Sequence, residues 1–95
     1  MSEENVRKLS EVLRTVSETH HTVFAIVDGA DDDWASWYAW WLINLSELPS
    51  LLGVKPVRSD LICLLVTLDR RYTAGPPADP WPAFYAREIQ SHYAR

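Results

Sequence analysis

The side chains best suited to chemistry in this sequence are two adjacent histidines, a cluster of aspartates, one thiol and a dense set of aromatic rings. His20 and His21 precede Asp28, Asp31, Asp32 and Asp33, and imidazole with carboxylate is a usable ligand set for zinc, iron or manganese. The spacing suits one ion poorly. Neighbours on a helix diverge by about 100°, whereas paired ligands sit at i and i+4, where this chain has Phe24 and Ala25. No metal site is therefore assigned, and a metal-assisted hydrolase using His20 or His21 with Asp28 or Asp31 stands as the alternative reading. The aspartate run also fails the EF-hand pattern. Counted from Asp28, its third place is Ala30, its sixth is Asp33 where glycine is needed, and its twelfth is Ala39 where glutamate is needed. Capping and dipole compensation at a helix start account for it instead.

The rings are the stronger signal: five Trp, four Tyr and two Phe in 95 residues. At helical spacing Trp34, Trp37, Tyr38 and Trp41 fall on one face with Leu45 and Leu48, while Trp40 and Ile43 point the other way. Such a stripe reads first as core. So dense a cluster of indoles and phenols is nevertheless hard to pack without a gap, and a small pocket for an apolar or cationic ligand is expected near His20, His21 and Trp37. Phe24, Trp34, Tyr38, Trp41 and Trp81 complete its lining, with Tyr85 and Tyr93 approaching from the last helix. No catalytic residue is assigned. Cys63 lies among leucines, where a thiolate is disfavoured, no serine sits in a nucleophile-elbow context, and no glycine-rich phosphate loop is present. No cofactor is implied.

Four helices must position these groups. Val6, Leu9, Leu13, Val16, His20, Val23 and Val27 alternate three and four apart, which predicts a helix over 3–27 stopped by Asp28-Gly29. A second, over 32–48, starts on the aspartates and ends through Leu48-Pro49 to Gly53. A third, over 59–72, is capped by Ser59 and carries Leu61, Leu64, Leu65, Leu68 and Tyr72. Ile62, Cys63 and Val66 extend its apolar character around most of the circumference, which predicts a buried helix. After the break at Gly75-Pro76-Pro77, Asp79-Pro80 opens a last helix over 80–93 with Trp81, Phe84, Tyr85, Ile89 and Tyr93 toward the core. No segment alternates as a strand. The expected fold is all-α: one domain, an irregular four-helix bundle whose first two helices form an antiparallel hairpin.

Length and charge bound the function. A net charge of −4 argues against nucleic acid, because phosphate neutralisation needs the opposite sign. The lone cysteine suits a reducing cytoplasm, and the N-terminus lacks the basic start and apolar stretch of an export signal. The longest apolar run, Trp37 to Ile43, falls far short of the roughly 20 residues needed to cross a bilayer. A chain this small removes only about two thirds of its surface from water, so it is expected to bury its surplus rings against a second copy. Trp40, Ile43, Ile62 and Val66 are the interface candidates.

The pattern His20-His21, Phe24, Asp28-Gly29, Asp31, Trp34, Trp37-Tyr38-Ala39, then Ser59, Leu61, Leu64-Leu65, Leu68-Asp69, Tyr72, Pro80-Trp81-Pro82 and Tyr85-Ala86 resembles a family of short, functionally uncharacterised bacterial proteins. Similar sequences are of the kind carried on mobile, integron-type gene cassettes. The resemblance spans most of the chain and implies an all-helical bacterial protein without an activity to carry over. Asp32 stands where similar sequences have proline, a change the first turn of a helix accepts. The function expected is a homo-oligomeric interaction or small-ligand-binding module, not an enzyme, with an apolar ligand or a partner protein as its target.

Overall fold

A computed structural model describes residues 3–25, 34–75 and 79–93, with the side chains of residues 23–25 excepted. They form five helices and no strand: α1 (Glu3–Ala25), α2 (Trp34–Leu45), α3 (Leu48–Leu52), α4 (Arg58–Ala74) and α5 (Trp81–Tyr93). The four long helices make a ring in which each packs on two neighbours: α1 on α2 and α5, and α4 on α2 and α5. This is the all-α bundle predicted.

Side-chain pairs fix the directions. His20 near the end of α1 meets Trp37 and Tyr38 in the first half of α2. Glu3 pairs with Arg87 at 2.9 Å, and the Ser10 hydroxyl donates to the Pro82 carbonyl at 3.4 Å, so α5 runs antiparallel to α1. Tyr93 reaches Asp60, and Tyr72 packs on Phe84, so α5 also runs antiparallel to α4. The start of α4 also meets the start of α2, where Arg58 donates to the Ser36 hydroxyl at 2.8 Å, so these two helices do not pack as a simple antiparallel pair.

The core is aliphatic. Val6, Leu9, Leu13 and Val16 of α1 face Leu61, Leu65 and Leu68 of α4 and Ile89 of α5, all buried. On α2 the inward residues are Ala35, Ala39 and Leu42, which corrects the expectation that its ring-bearing stripe points inward. Small side chains four apart let α2 lie close to its neighbours. Trp34, Tyr38 and Trp41 are too large for that seam and sit half-buried along its flank, and Leu45 beside them is 59% exposed.

Three further differences have local causes. Pro49 begins a helix: it occupies the first turn of α3, where its missing N–H has no partner to lose, and the Ser46 hydroxyl accepts from the Leu48 N–H at 3.0 Å. Gly53 then closes α3 at φ 74°, as predicted, with its N–H donating to the Pro49 carbonyl at 2.9 Å. At α4 the cap is Val57, not Ser59, because the Leu61 N–H already closes on the Val57 carbonyl at 3.0 Å. Finally, α4 is not buried all round. Ser59, Cys63, Thr67 and Arg70 are exposed, since a helix in a four-membered ring has neighbours on two sides only. The expected stop at Asp28-Gly29 and the aspartate cap lie outside the described residues. Among those residues no helix is long and apolar enough to cross a membrane.

Candidate functional site

All four long helices converge on one concave site. Ser17 of α1, Trp34 and Tyr38 of α2, Asp69 and Tyr72 of α4, and Trp81 and Tyr85 of α5 line an open cleft of about 350 Å³. It lies toward the end of the bundle where α2 and α5 begin and α4 finishes, opposite the Asp60–Tyr93 contact. Clefts between the helices of a bundle are a common place for ligands.

Packing of one ring on the edge of another holds the walls. Trp34 meets Tyr38 at 5.5 Å between centroids with their planes 86° apart, and Trp81 meets Tyr85 at 5.7 Å and 84°. Tyr72 joins them through Tyr85 at 6.5 Å and 65°. Edge-to-face contact is the favoured geometry for rings with a negative face and a positive edge, and it sets adjacent walls nearly at right angles. Two groups bring polarity. Tyr85 is only 7% exposed, and burial, reinforced by the negative charge of Asp69, raises its phenol pKa well above the ordinary value. It is a neutral hydrogen-bond donor at any physiological pH. Asp69 is the one charged side chain in the lining, and no ion pair to its carboxylate forms among the described residues. The Tyr72 hydroxyl is turned to the Asp79 carbonyl at 3.4 Å.

Of the residues expected at the pocket, Trp34, Tyr38, Trp81 and Tyr85 line the cleft, whereas Tyr93 lies at the other end of α5 on Asp60. His20 stands outside that lining, its ring 5.1 Å from both Trp37 and Tyr38. Trp37 is half-buried beside it, and His21 is exposed. Trp41 belongs to a second groove of about 800 Å³ with Arg7, Lys8, Glu11, Val12 and Leu45. There Arg7 is neutralised by Glu11 at 2.8 Å. The Phe24 side chain and Asp28 and Asp31 lie outside the described residues, among which no group of three or more metal-binding side chains occurs. Trp40 is 43% exposed, while Ile43, Ile62 and Val66 are half-buried against the core.

Ser17, Asp69 and Tyr72 were not among the residues expected in the cleft. Asp69 sits between Leu68 and Arg70 with no local sign of a site, and only the phase of α4 against α2 and α5 brings it to the rings. Tyr72 reads as an ordinary member of the α4 stripe. Compared with known proteins, the chain matches no family model, no curated protein and no solved structure.

Proposed function

We propose that this protein is a small-ligand-binding module whose site is the aromatic cleft at the end of the bundle. One observation carries the reading: every long helix contributes to a single concavity walled by five aromatic rings and holding one carboxylate. Its volume is near the lower end for ligand pockets, roughly 300 to 1,000 Å³, which suits a ligand of few heavy atoms. Tyr85 and Asp69 would orient it, and the indoles would supply contact area.

Two indoles in the lining make binding visible as a change in tryptophan emission. Titration with a panel of small organic molecules should give saturable changes, and Tyr72→Leu should weaken them while helical dichroism is retained. Saturation left unchanged by Tyr72→Leu, or no saturation with any class of molecule, defeats the reading.

Self-association accompanies it in this proposal. Its support is the apolar surface left by Trp40 on α2 together with the incompletely covered Ile62 and Val66 on α4, the sort of area a second copy hides. The lone exposed thiol of Cys63 fits a reducing cytoplasm as the place of action.

A further inference from the structure

We propose that the cleft receives a methylated ammonium group, with Asp69 as its counter-charge and Trp34, Tyr38, Tyr72, Trp81 and Tyr85 as its walls. This deepens the proposed function and rests on it.

The sign of the charge comes first. Ring faces carry negative potential and attract a cation within about 6 Å of the centroid, most strongly where water is excluded. Asp69 adds a full negative charge to the same lining. Two of the basic groups nearby are engaged elsewhere: Arg71 pairs with Glu88 at 2.8 Å and Arg87 with Glu3 at 2.9 Å. A carboxylate or phosphate ligand would be repelled by Asp69, with no basic side chain in the lining to offset it. A neutral apolar ligand would strip water from Asp69 and give nothing in return, which costs several kcal/mol for a carboxylate. The net charge of −4 further favours the approach of cations.

The kind of cation follows from what the walls are made of. A primary ammonium has three N–H donors, each of which must replace a hydrogen bond to water. Against that need the lining offers the Asp69 carboxylate and the hydroxyls of Ser17, Tyr38, Tyr72 and Tyr85, the Tyr72 hydroxyl being directed at a backbone carbonyl, while most of its surface is ring carbon. A methylated nitrogen has few or no donors to satisfy and spreads its charge over methyl groups that pack directly on ring carbons. Walls nearly at right angles, as Trp34–Tyr38 and Trp81–Tyr85 form, contact a roughly spherical head on several sides at once.

The test uses choline and the uncharged isostere in which carbon replaces its quaternary nitrogen, titrated into the full chain by calorimetry and tryptophan emission. Choline should bind about 30-fold more tightly than the isostere, the ratio that about 2 kcal/mol of desolvated cation–π and charge interaction gives. Asp69→Asn should weaken choline by about tenfold or more and leave the isostere unchanged. Tyr72→Leu provides a second variant should Asp69→Asn fail to fold, and it should weaken both. Equal binding of choline and isostere overturns the cation preference while leaving a ligand cleft in place. Choline binding indifferent to whichever of the two substitutions folds puts the cation elsewhere and overturns the assignment. Absence of binding by either molecule overturns this inference, and the proposed function falls only if the wider panel fails as well.

Discussion

The Tyr93 hydroxyl donates a 2.7 Å hydrogen bond to Oδ2 of Asp60, joining the last turn of α5 to the first turn of α4. His92 Nε2 lies 3.1 Å from the same oxygen. The Tyr93 bond, helped by His92, holds the Asp60 carboxyl below its ordinary pKa against the opposing effect of partial burial. A depressed folded pKa contributes stability that is present above the unfolded value of about 4 and is lost as pH falls through the folded value. Asp60→Asn should therefore cost about 0.5 to 1.5 kcal/mol at neutral pH, a modest figure because the pair is largely exposed, and nothing in strong acid. Urea midpoints across that range should show wild type and variant converging below the folded pKa; a constant gap contradicts the account.

Gly53 supports a prediction of purely backbone origin. At φ 74° it is left-handed, and a Cβ there would meet nothing within 4 Å, so only conformational strain opposes substitution. Gly53→Ala should destabilise by about 1 kcal/mol, and Gly53→Asn by less, since asparagine tolerates this region better. Denaturant melts would measure both.

Cys63 faces water from α4. Ellman's reagent, applied at concentrations low enough to keep the chain monomeric, should titrate one thiol per folded chain as fast as in denaturant. Cys63→Ser should change stability by no more than about 0.5 kcal/mol, the range for surface replacements. Leu65→Ala, two residues on and fully buried, should cost about 2 to 5 kcal/mol. The contrast between them measures how one-sided α4 is.

Trp40 tests self-association. Sedimentation velocity at tens of micromolar should show a species larger than the 10.9 kDa chain, and Trp40→Lys should return it to monomer. A wild-type chain sedimenting as monomer throughout would refute the proposed assembly.

Where hydrophobic periodicity and side-chain size agreed, the fold was legible in the residues. Val6, Leu9, Leu13 and Val16 mark the inward face of α1 both in spacing and in the structure. On α2 the two cues conflict: the rings dominate any reading of apolar periodicity, yet Ala35 and Ala39 make the close seam. Pro49 misleads for a related reason, since proline ends one helix or opens the next and only the Ser46 hydroxyl on Leu48 decides which. In the cleft, Trp34, Tyr38 and Trp81 were foreseeable as rings without full cover. Asp69 was not, because its meaning depends on three helices far apart in sequence.

The cleft draws one side chain or more from every member of the ring, so whatever settles there staples the whole molecule shut. Filling the site and tightening the fold are then a single event, and heat resistance should climb with occupant concentration. A melting curve would serve as a gauge of occupancy, with no label, reporter or knowledge of the biology required.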